Sequence, residues 1–144
     1  LMDSLGELPV LSAELSSSRL RLLAEVRRGG VRRLAPLAAD VRCLPLADGA
    51  VDLATCLEVL EHLPLADPPR AVAELCRVAR RFVVISVPSR PDDNPEHLQV
   101  FEAATLERLF MSTGLVRRVS ASYVHNHLIQ VATLARPARQ EVRS

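Results

Sequence analysis

The stretch that decides the fold is residues 48–63, which read DGAVDLATCLEVLEHL. An Asp-Gly turn signal opens it, and a short apolar run follows at residues 51–57. A run of this length after a turn predicts a strand that is buried on both faces. Glu58, Glu61 and His62 come directly after that strand. Because ligands of open parallel α/β sheets bind outside the carboxyl ends of the strands, the sequence predicts a functional site here.

Length and charge exclude several classes of protein. The length of 144 residues is typical of a single domain and is enough to bury a hydrophobic core. The net charge of +1 gives no overall field that would attract nucleic acid or a membrane surface. All 18 basic residues are Arg, which we interpret as codon bias rather than as phosphate recognition. No apolar run approaches the roughly 20 residues that cross a bilayer, and no signal peptide is recognisable, which predicts a cytoplasmic protein.

The chain contains three cysteines, Cys43, Cys56 and Cys76. An odd number without a C-x-x-C spacing argues against a disulfide framework and against a zinc knuckle. We therefore expect three reduced thiols that behave as small buried apolar residues.

Strand and helix patterns alternate along the chain. Strands are predicted near residues 9–14, 34–39, 51–57 and 82–87, with helices near 16–28, 68–79 and 106–110. Two last strands, near residues 116–124 and 128–134, have Asn126 near their connection and permit an antiparallel hairpin. The fold class predicted is α/β, with a doubly wound, mostly parallel sheet and an antiparallel edge. We expect one domain over residues 1–135 and a flexible tail at 136–144.

The order of these pieces resembles the class I S-adenosylmethionine-dependent methyltransferases, particularly the small-molecule branch of the methyltransferase type 11 kind. The resemblance covers nearly the whole chain. It is carried by Glu14, by Asp40-Val41, by LPLADGAVD at residues 44–52, by EVLEHL at 58–63 and by ELCRV at 74–78. It implies a Rossmann-like sheet, S-adenosylmethionine as the cofactor, and methyl transfer to an oxygen, nitrogen or carbon atom of a small-molecule substrate.

The resemblance also implies roles for single residues. Glu14 would accept hydrogen bonds from the ribose hydroxyls, since a carboxylate is a natural acceptor for a diol. A carboxylate that only stabilises a helix start is the alternative. Asp40 would accept from the adenine amino group, and the Val41 amide would donate to a ring nitrogen. Leu57 and Glu58 would lie under the methionine end, although Glu58 can equally be a solvated acid at a helix start.

His62 is the candidate catalytic residue. An imidazole titrates near the operating pH, so His62 can act as general base on a substrate hydroxyl or an acidic carbon. Methyl transfer from a sulfonium needs little beyond alignment of the nucleophile with the methyl group. The alternative is that His62 lines the pocket or caps a backbone carbonyl.

The chain departs from the family pattern in one major respect. The first strand of the fold and its G-x-G-x-G turn are absent, since the five glycines are Gly6, Gly29, Gly30, Gly49 and Gly114. In the family that strand lies between the first strand seen here and the Val51 strand. Its loss predicts unpaired edges on both neighbours and association into a homodimer. We interpret the chain as a fragment of a longer reading frame, and expect it to bind S-adenosylmethionine poorly or not at all.

Two other functions remain open from the sequence. Glu58, Glu61 and His62, with His97 further on, look like the E-x-x-E-H…H arrangement of RNA 3′-terminal 2′-O-methyltransferases, in which they hold a divalent metal. At helical spacing the first three would project onto one face, which suits a Mn-type ion. The RNA methyltransferase pattern normally has two adjacent histidines near this position, whereas His97 is a single histidine. The sequence also lacks the interleaved basic and aromatic residues that bind RNA. The main prediction therefore includes no metal and no nucleic acid. The third function is a non-catalytic pseudo-methyltransferase scaffold, which the missing glycine turn favours.

Overall fold

The computed structural model describes residues 8–135. The chain divides into two compact units, Leu1–Pro45 and Leu46–Ser144. The tail predicted at residues 136–144 lies outside the described residues. No helix within residues 8–135 is long and apolar enough to cross a membrane.

The first unit is one parallel strand pair with its connecting helix. The chain runs through β1 (Val10–Glu14), α1 (Ser17–Arg28) and β2 (Leu34–Ala38). Val10 lies opposite Leu34, and Glu14 lies opposite Ala38. A parallel pair needs a crossover connection, and α1 supplies it. The strands and helix predicted for this part of the sequence are therefore confirmed.

The second unit contains a four-stranded mixed sheet. Its elements are β3 (Val51–Leu57), a 3-10 turn (Leu60–His62), α2 (Pro68–Val78), β4 (Ala79–Pro88), α3 (Ala103–Ser112), β5 (Val116–Val124) and β6 (His127–Leu134). The strand order is β3-β4-β6-β5. Strands β3 and β4 are parallel, and β6 runs antiparallel to both β4 and β5. The predicted α/β sheet with a C-terminal antiparallel hairpin is confirmed.

Helices α2 and α3 supply the core of this unit. Both helices contact the sheet and each other. Apolar residues at helical spacing point inward, and Pro68 occupies the first turn of α2, where its missing N–H costs nothing. The fully buried side chains include Val72, Ile85, Leu106, Phe110 and Leu128. Cys56 and Cys76 are buried as predicted, whereas Cys43 is exposed, so the prediction for that thiol was wrong.

Strand β3 is buried on one face only. Ala54 and Cys56 point into the core, while Leu53 and Leu57 are 47% and 48% exposed. The prediction of a strand buried on both faces was wrong because β3 ends its sheet: among the described residues it pairs with β4 alone. Strand β1 likewise pairs only with β2 in the part of the chain described. These two open edges agree with the expectation drawn from the missing first strand.

Gly114 ends α3 in the left-handed conformation, with φ of +69°. We expect Gly114→Ala to lower the free energy of unfolding by about 1 kcal/mol, because an L side chain is strained there. No atom lies within 4 Å of the added Cβ, so the backbone alone sets this cost. Urea denaturation measures it. Gly114→Asn is the matched control, because Asn tolerates the left-handed conformation. This variant should lose less free energy of unfolding than Gly114→Ala, and equal losses for the two variants would contradict the argument.

Candidate functional site

The carboxyl ends of β3 and β4 and the start of β6 meet at one end of the sheet. The strand register places Leu57 opposite Ser86 and Pro88 opposite His127. The chain leaves β3 through Glu58, whose N–H donates to the Ser86 carbonyl at 3.0 Å. This end of a parallel strand pair is where an α/β sheet binds its ligands.

Glu58 is held in an unusual conformation. Its φ is +53°, in the left-handed region that non-glycine residues seldom adopt. The Ser86 hydroxyl donates a hydrogen bond to Oε1, and His127 Nδ1 lies 3.1 Å from Oε2. A backbone conformation of this kind costs about 1 kcal/mol or more and persists where the surroundings fix it. These contacts of the carboxylate help to fix it.

The prediction that Glu58, Glu61 and His62 share one helical face was wrong. The left-handed conformation of Glu58 turns the chain at the end of β3, and residues 60–62 form only a single 3-10 turn. The Glu58 carboxylate therefore contacts Ser86 and His127, whereas the side chains of Glu61 and His62 lie close to other residues. The E-x-x-E-H spacing is real in the sequence but does not bring all three side chains together.

The loop before α3 is joined to the 3-10 turn by hydrogen bonds. Leu98 N–H donates to the Glu61 carbonyl at 2.8 Å, and Gln99 Nε2 donates to the Leu63 carbonyl at 2.8 Å. His62 Nδ1 lies 3.0 Å from the Glu96 carbonyl oxygen. A carbonyl can only accept, so this ring nitrogen carries a proton, and in the neutral imidazole Nε2 keeps a lone pair.

Three side chains converge beneath this loop. One potential ligand atom from each of Glu61, His62 and His97 lies within 4.8 Å of the others. The two imidazole rings meet edge to face with their centroids 4.9 Å apart. Glu61 is fully buried, and neither of its carboxylate oxygens has a hydrogen-bond partner among the described residues. Burial raises the pKa of Glu61 above its usual value. The backbone N–H of Glu61 and the imidazoles of His62 and His97 oppose this rise, and the Glu58 carboxylate adds to it.

A small pocket of about 160 Å³ opens beside His97. It lies between the end of β4 and the loop that precedes α3. Its lining residues are Pro88, Arg90, Pro91, Asp92, His97, Leu98, Gln99 and Val100. The pocket therefore shares His97 with the Glu61–His62–His97 cluster.

The remaining predicted site residues belong to the first unit. Glu14 is the last residue of β1, and its Oε1 accepts the Ser16 N–H at 2.8 Å, as a carboxylate at a helix start does. Asp40 follows β2 and accepts hydrogen bonds from both the backbone N–H and the guanidinium of Arg42. Val41 lies between these two residues. The structure thus brings Glu14, Asp40 and Val41 to the carboxyl ends of the β1–β2 pair.

Sequence reasoning missed several residues of the second unit. Ser86 lies inside an apolar strand, His127 lies at the start of the last strand, and Gln99 lies in a polar loop. All three act through contacts with residues far away in the chain. The one usable sequence signal was the polar Ser86 near the end of the apolar run at residues 82–87.

Comparison with known proteins identifies the family. The profile described as "Methyltransferase domain" matches residues 2–85, which is more than half of the chain. The chain belongs to this methyltransferase family. The class I S-adenosylmethionine-dependent methyltransferase resemblance seen in the sequence is confirmed, and with it S-adenosylmethionine as the cofactor of the class.

Solved structures share the methyltransferase fold at low sequence identity. An S-adenosylmethionine-dependent methyltransferase from Aquifex aeolicus is 20% identical, with a TM-score of 0.73 over 93% of this chain and 73% of its own. Magnesium protoporphyrin IX methyltransferase from Synechocystis, with bound S-adenosylmethionine, is 16% identical, with a TM-score of 0.69 over 88% and 60% of the two chains. No curated protein matches the chain significantly.

The fold of this methyltransferase family does not by itself fix the reaction. The [4+2]-cyclase SpnF is 16% identical to the present chain, with a TM-score of 0.71 over 90% of this chain and 67% of its own. A cyclase and methyltransferases are thus comparable structural neighbours. The roles of individual residues have to be argued from the site.

Proposed function

We propose that this chain is an S-adenosylmethionine-dependent methyltransferase that acts on a small-molecule acceptor. The observation that carries the proposal is the match of the methyltransferase profile to residues 2–85, a range that contains three carboxylates at strand ends. Glu14, Asp40 and Glu58 each lie at or just past the carboxyl end of a parallel strand, β1, β2 and β3 in turn. In a member of this family, these are the positions from which acidic side chains would contact the cofactor.

The first-unit carboxylates suit the nucleoside end of the cofactor. Glu14 uses one oxygen for the Ser16 N–H, and a carboxylate has further lone pairs for the ribose hydroxyls. Arg42 holds the Asp40 carboxylate in a fixed orientation, which favours a directed hydrogen bond from the adenine amino group. The Val41 N–H would donate to an adenine ring nitrogen.

Leu57 and Glu58 are the residues proposed for the methionine end. Leu57 offers a half-exposed apolar side chain, and the Glu58 carboxylate is fixed by Ser86 and His127. When bound, the cofactor supplies an electrophilic methyl group on a sulfonium. The absent G-x-G-x-G turn would normally contribute backbone contacts at this end, so we expect the chain to bind the cofactor weakly.

His62 is proposed as the base that takes the acceptor's proton. Its Nδ1–H is committed to the Glu96 carbonyl, which leaves Nε2 able to accept a proton. The side chain is 36% exposed, so an acceptor can reach it. The pocket of about 160 Å³ between residues 88 and 100 shares His97 with the cluster that contains His62.

Weak binding is best tested by saturation-transfer difference NMR of S-adenosylhomocysteine, the product form of the cofactor, with the 144-residue chain. We expect saturation to be strongest at the adenine and ribose protons and weak at the homocysteine protons. Glu14→Ala should reduce the ribose signals, and Asp40→Ala should reduce the adenine signals, each by about half or more. Glu107→Ala, at an exposed position on α3, is the matched control and should change neither.

Each outcome decides between functions. Saturation that depends on Glu14 and Asp40 supports the methyltransferase proposal, and a search for methyl acceptors then becomes worthwhile. No saturation in a chain whose circular dichroism shows it to be folded contradicts cofactor binding by this chain. That result would favour the non-catalytic scaffold.

A further inference from the structure

We propose that Glu61, His62 and His97 bind a divalent transition-metal ion of the zinc type. The three side chains already lie close enough to share an ion, with one ligand atom of each within 4.8 Å of the others. Two atoms that coordinate one tetrahedral ion at about 2.1 Å are roughly 3.4 Å apart. His62 Nε2 lies 3.9 Å from Glu61 Oε1, so a contraction of about half an ångström would place both on one ion.

The Glu61 carboxylate points to a cation. The residue is fully buried, and both of its oxygens lack a hydrogen-bond partner among the described residues. A buried carboxylate without a partner is costly, and it is stabilised by taking up a proton or by binding a positive ion. The separation of 3.9 Å from His62 is too long for a hydrogen bond, so the imidazole offers the carboxylate only an electrostatic attraction.

The imidazole of His62 is oriented as a metal ligand would be. Its Nδ1–H donates to the Glu96 carbonyl, and Nε2 is the ring nitrogen that faces Glu61. Metal-binding histidines almost always donate their other ring N–H to a carbonyl or a carboxylate, which fixes the tautomer and the ring orientation. In the neutral imidazole, Nε2 carries a lone pair on the side that faces the carboxylate, so an ion between the two groups could bond to both.

The second imidazole has a carboxylate beside it. His97 Nδ1 lies 2.9 Å from Asp92 Oδ1, although the two groups are not aligned for a hydrogen bond. This negative charge next to a ligand imidazole would further favour a bound cation. His97 is mostly buried, with its side chain 16% exposed, so an ion on the cluster would be partly shielded from water.

The ligand set differs from the one considered from the sequence. Glu58 is not part of the cluster, since its carboxylate faces Ser86 and His127 and, within residues 8–135, only Glu61, His62 and His97 bring ligand atoms within 4.8 Å of one another. Two imidazoles and one carboxylate remain, a set typical of zinc sites that keep a position open for water or substrate. Imidazole ligands favour zinc and its transition-metal neighbours over magnesium or calcium, which prefer oxygen ligands.

Calorimetric titration of the chelator-treated 144-residue chain with Zn²⁺ tests the proposal. The titration is made in a Cys43→Ser background, because the exposed Cys43 thiol can bind zinc by itself. We expect one ion per chain, with micromolar or tighter affinity. Saturating Zn²⁺ should raise the melting temperature by about 5 °C or more, and a chelator should reverse the rise. Co²⁺ should give visible absorption bands of a site with nitrogen and oxygen ligands.

Single substitutions locate the ion. Glu61→Gln keeps the shape of the side chain and removes its charge, and we expect zinc affinity to fall at least 50-fold. His97→Asn should have a similar effect. His125→Asn, at an exposed histidine of the hairpin turn, is the matched control and should change the affinity less than threefold.

Other results would overturn the proposal. One is that the folded chain does not bind zinc stoichiometrically. Another is that both Glu61→Gln and His97→Asn keep the zinc affinity of the unmodified chain. A third is that the His125→Asn control loses as much zinc affinity as these two variants. Because circular dichroism follows the fold of each variant, a variant that fails to fold is replaced by the other of the pair. The titration contains no S-adenosylmethionine, so it tests metal binding separately from methyl transfer. An ion bound to His62 Nε2 would occupy the lone pair that the proposed base uses, so the metal-loaded chain would transfer methyl groups without His62 as the base.

Discussion

Leu60→Ala is expected to lower the free energy of unfolding by about 3 kcal/mol, because the truncation leaves a cavity in a packed core. Leu60 is fully buried at the start of the 3-10 turn and anchors that turn in the interior. Urea denaturation followed by circular dichroism measures the loss. The same variant should bind zinc more weakly than the unmodified chain, since Glu61 and His62 follow Leu60 directly and lose their fixed position.

Leu65→Ala is the matched control for this substitution. Leu65 lies five positions further along the chain and is 76% exposed, so its truncation should change the free energy of unfolding by less than about 0.5 kcal/mol. A similar loss for Leu60→Ala and Leu65→Ala would mean that the turn is not anchored through the core. Unchanged zinc affinity in a destabilised Leu60→Ala chain would show that the ligands do not depend on the turn.

Cys56 should be about a thousandfold slower than an ordinary thiol in alkylation by iodoacetamide at pH 8. Burial raises the pKa of Cys56 to about 12, and the Glu61 carboxylate adds to the rise, so very little of the reactive thiolate is present. Mass spectrometry of the digested protein follows each cysteine separately. Cys43 is exposed and serves as the internal control that reacts quickly. Comparable rates for the two thiols in the folded chain would contradict the buried position of Cys56.

The same pKa makes stability depend on pH in the alkaline range. The folded chain keeps the Cys56 proton up to about pH 12, whereas the unfolded chain loses it near pH 9. Above pH 9 the unfolded state therefore binds fewer protons, and the free energy of unfolding falls as pH rises from 9 towards 12. At pH 10 we expect a loss of roughly 1 kcal/mol that Cys56→Ala does not show. Cys43→Ser should leave the pH dependence unchanged.

The order and type of the helices and strands were predictable because they depend on local patterns. The β-branched run of β4, the helical spacing of Val72 and Leu75 in α2, and Gly114 after α3 each act over a few neighbouring residues. The hairpin of β5 and β6 followed from two apolar runs close together. The α/β fold could therefore be predicted from the chain alone.

The site was only partly predictable because its contacts are not local. The sequence placed Glu58, Glu61 and His62 correctly after β3, but regular helical spacing put all three on one face. The left-handed conformation of Glu58, which no residue pattern signals, gives Glu58 and Glu61 different partners. Glu58 contacts Ser86 and His127, whereas Glu61 lies near His97, and these partners lie on separate elements. Sequence spacing carries no information about such pairs.

Two of the contacts that attach the loop before α3 to the 3-10 turn use backbone atoms of the loop. The Glu96 carbonyl accepts a hydrogen bond from His62, and the Leu98 N–H donates one to the Glu61 carbonyl. Neither hydrogen bond uses the side chain at position 96 or 98. The side chains at positions 96, 98 and 100 are therefore free to diverge while the turn keeps its place, whereas Gln99 is tied to the turn through its side chain. Evolution, or a designed library at residues 96, 98 and 100, can thus alter what the pocket accepts without dismantling the groups beneath it.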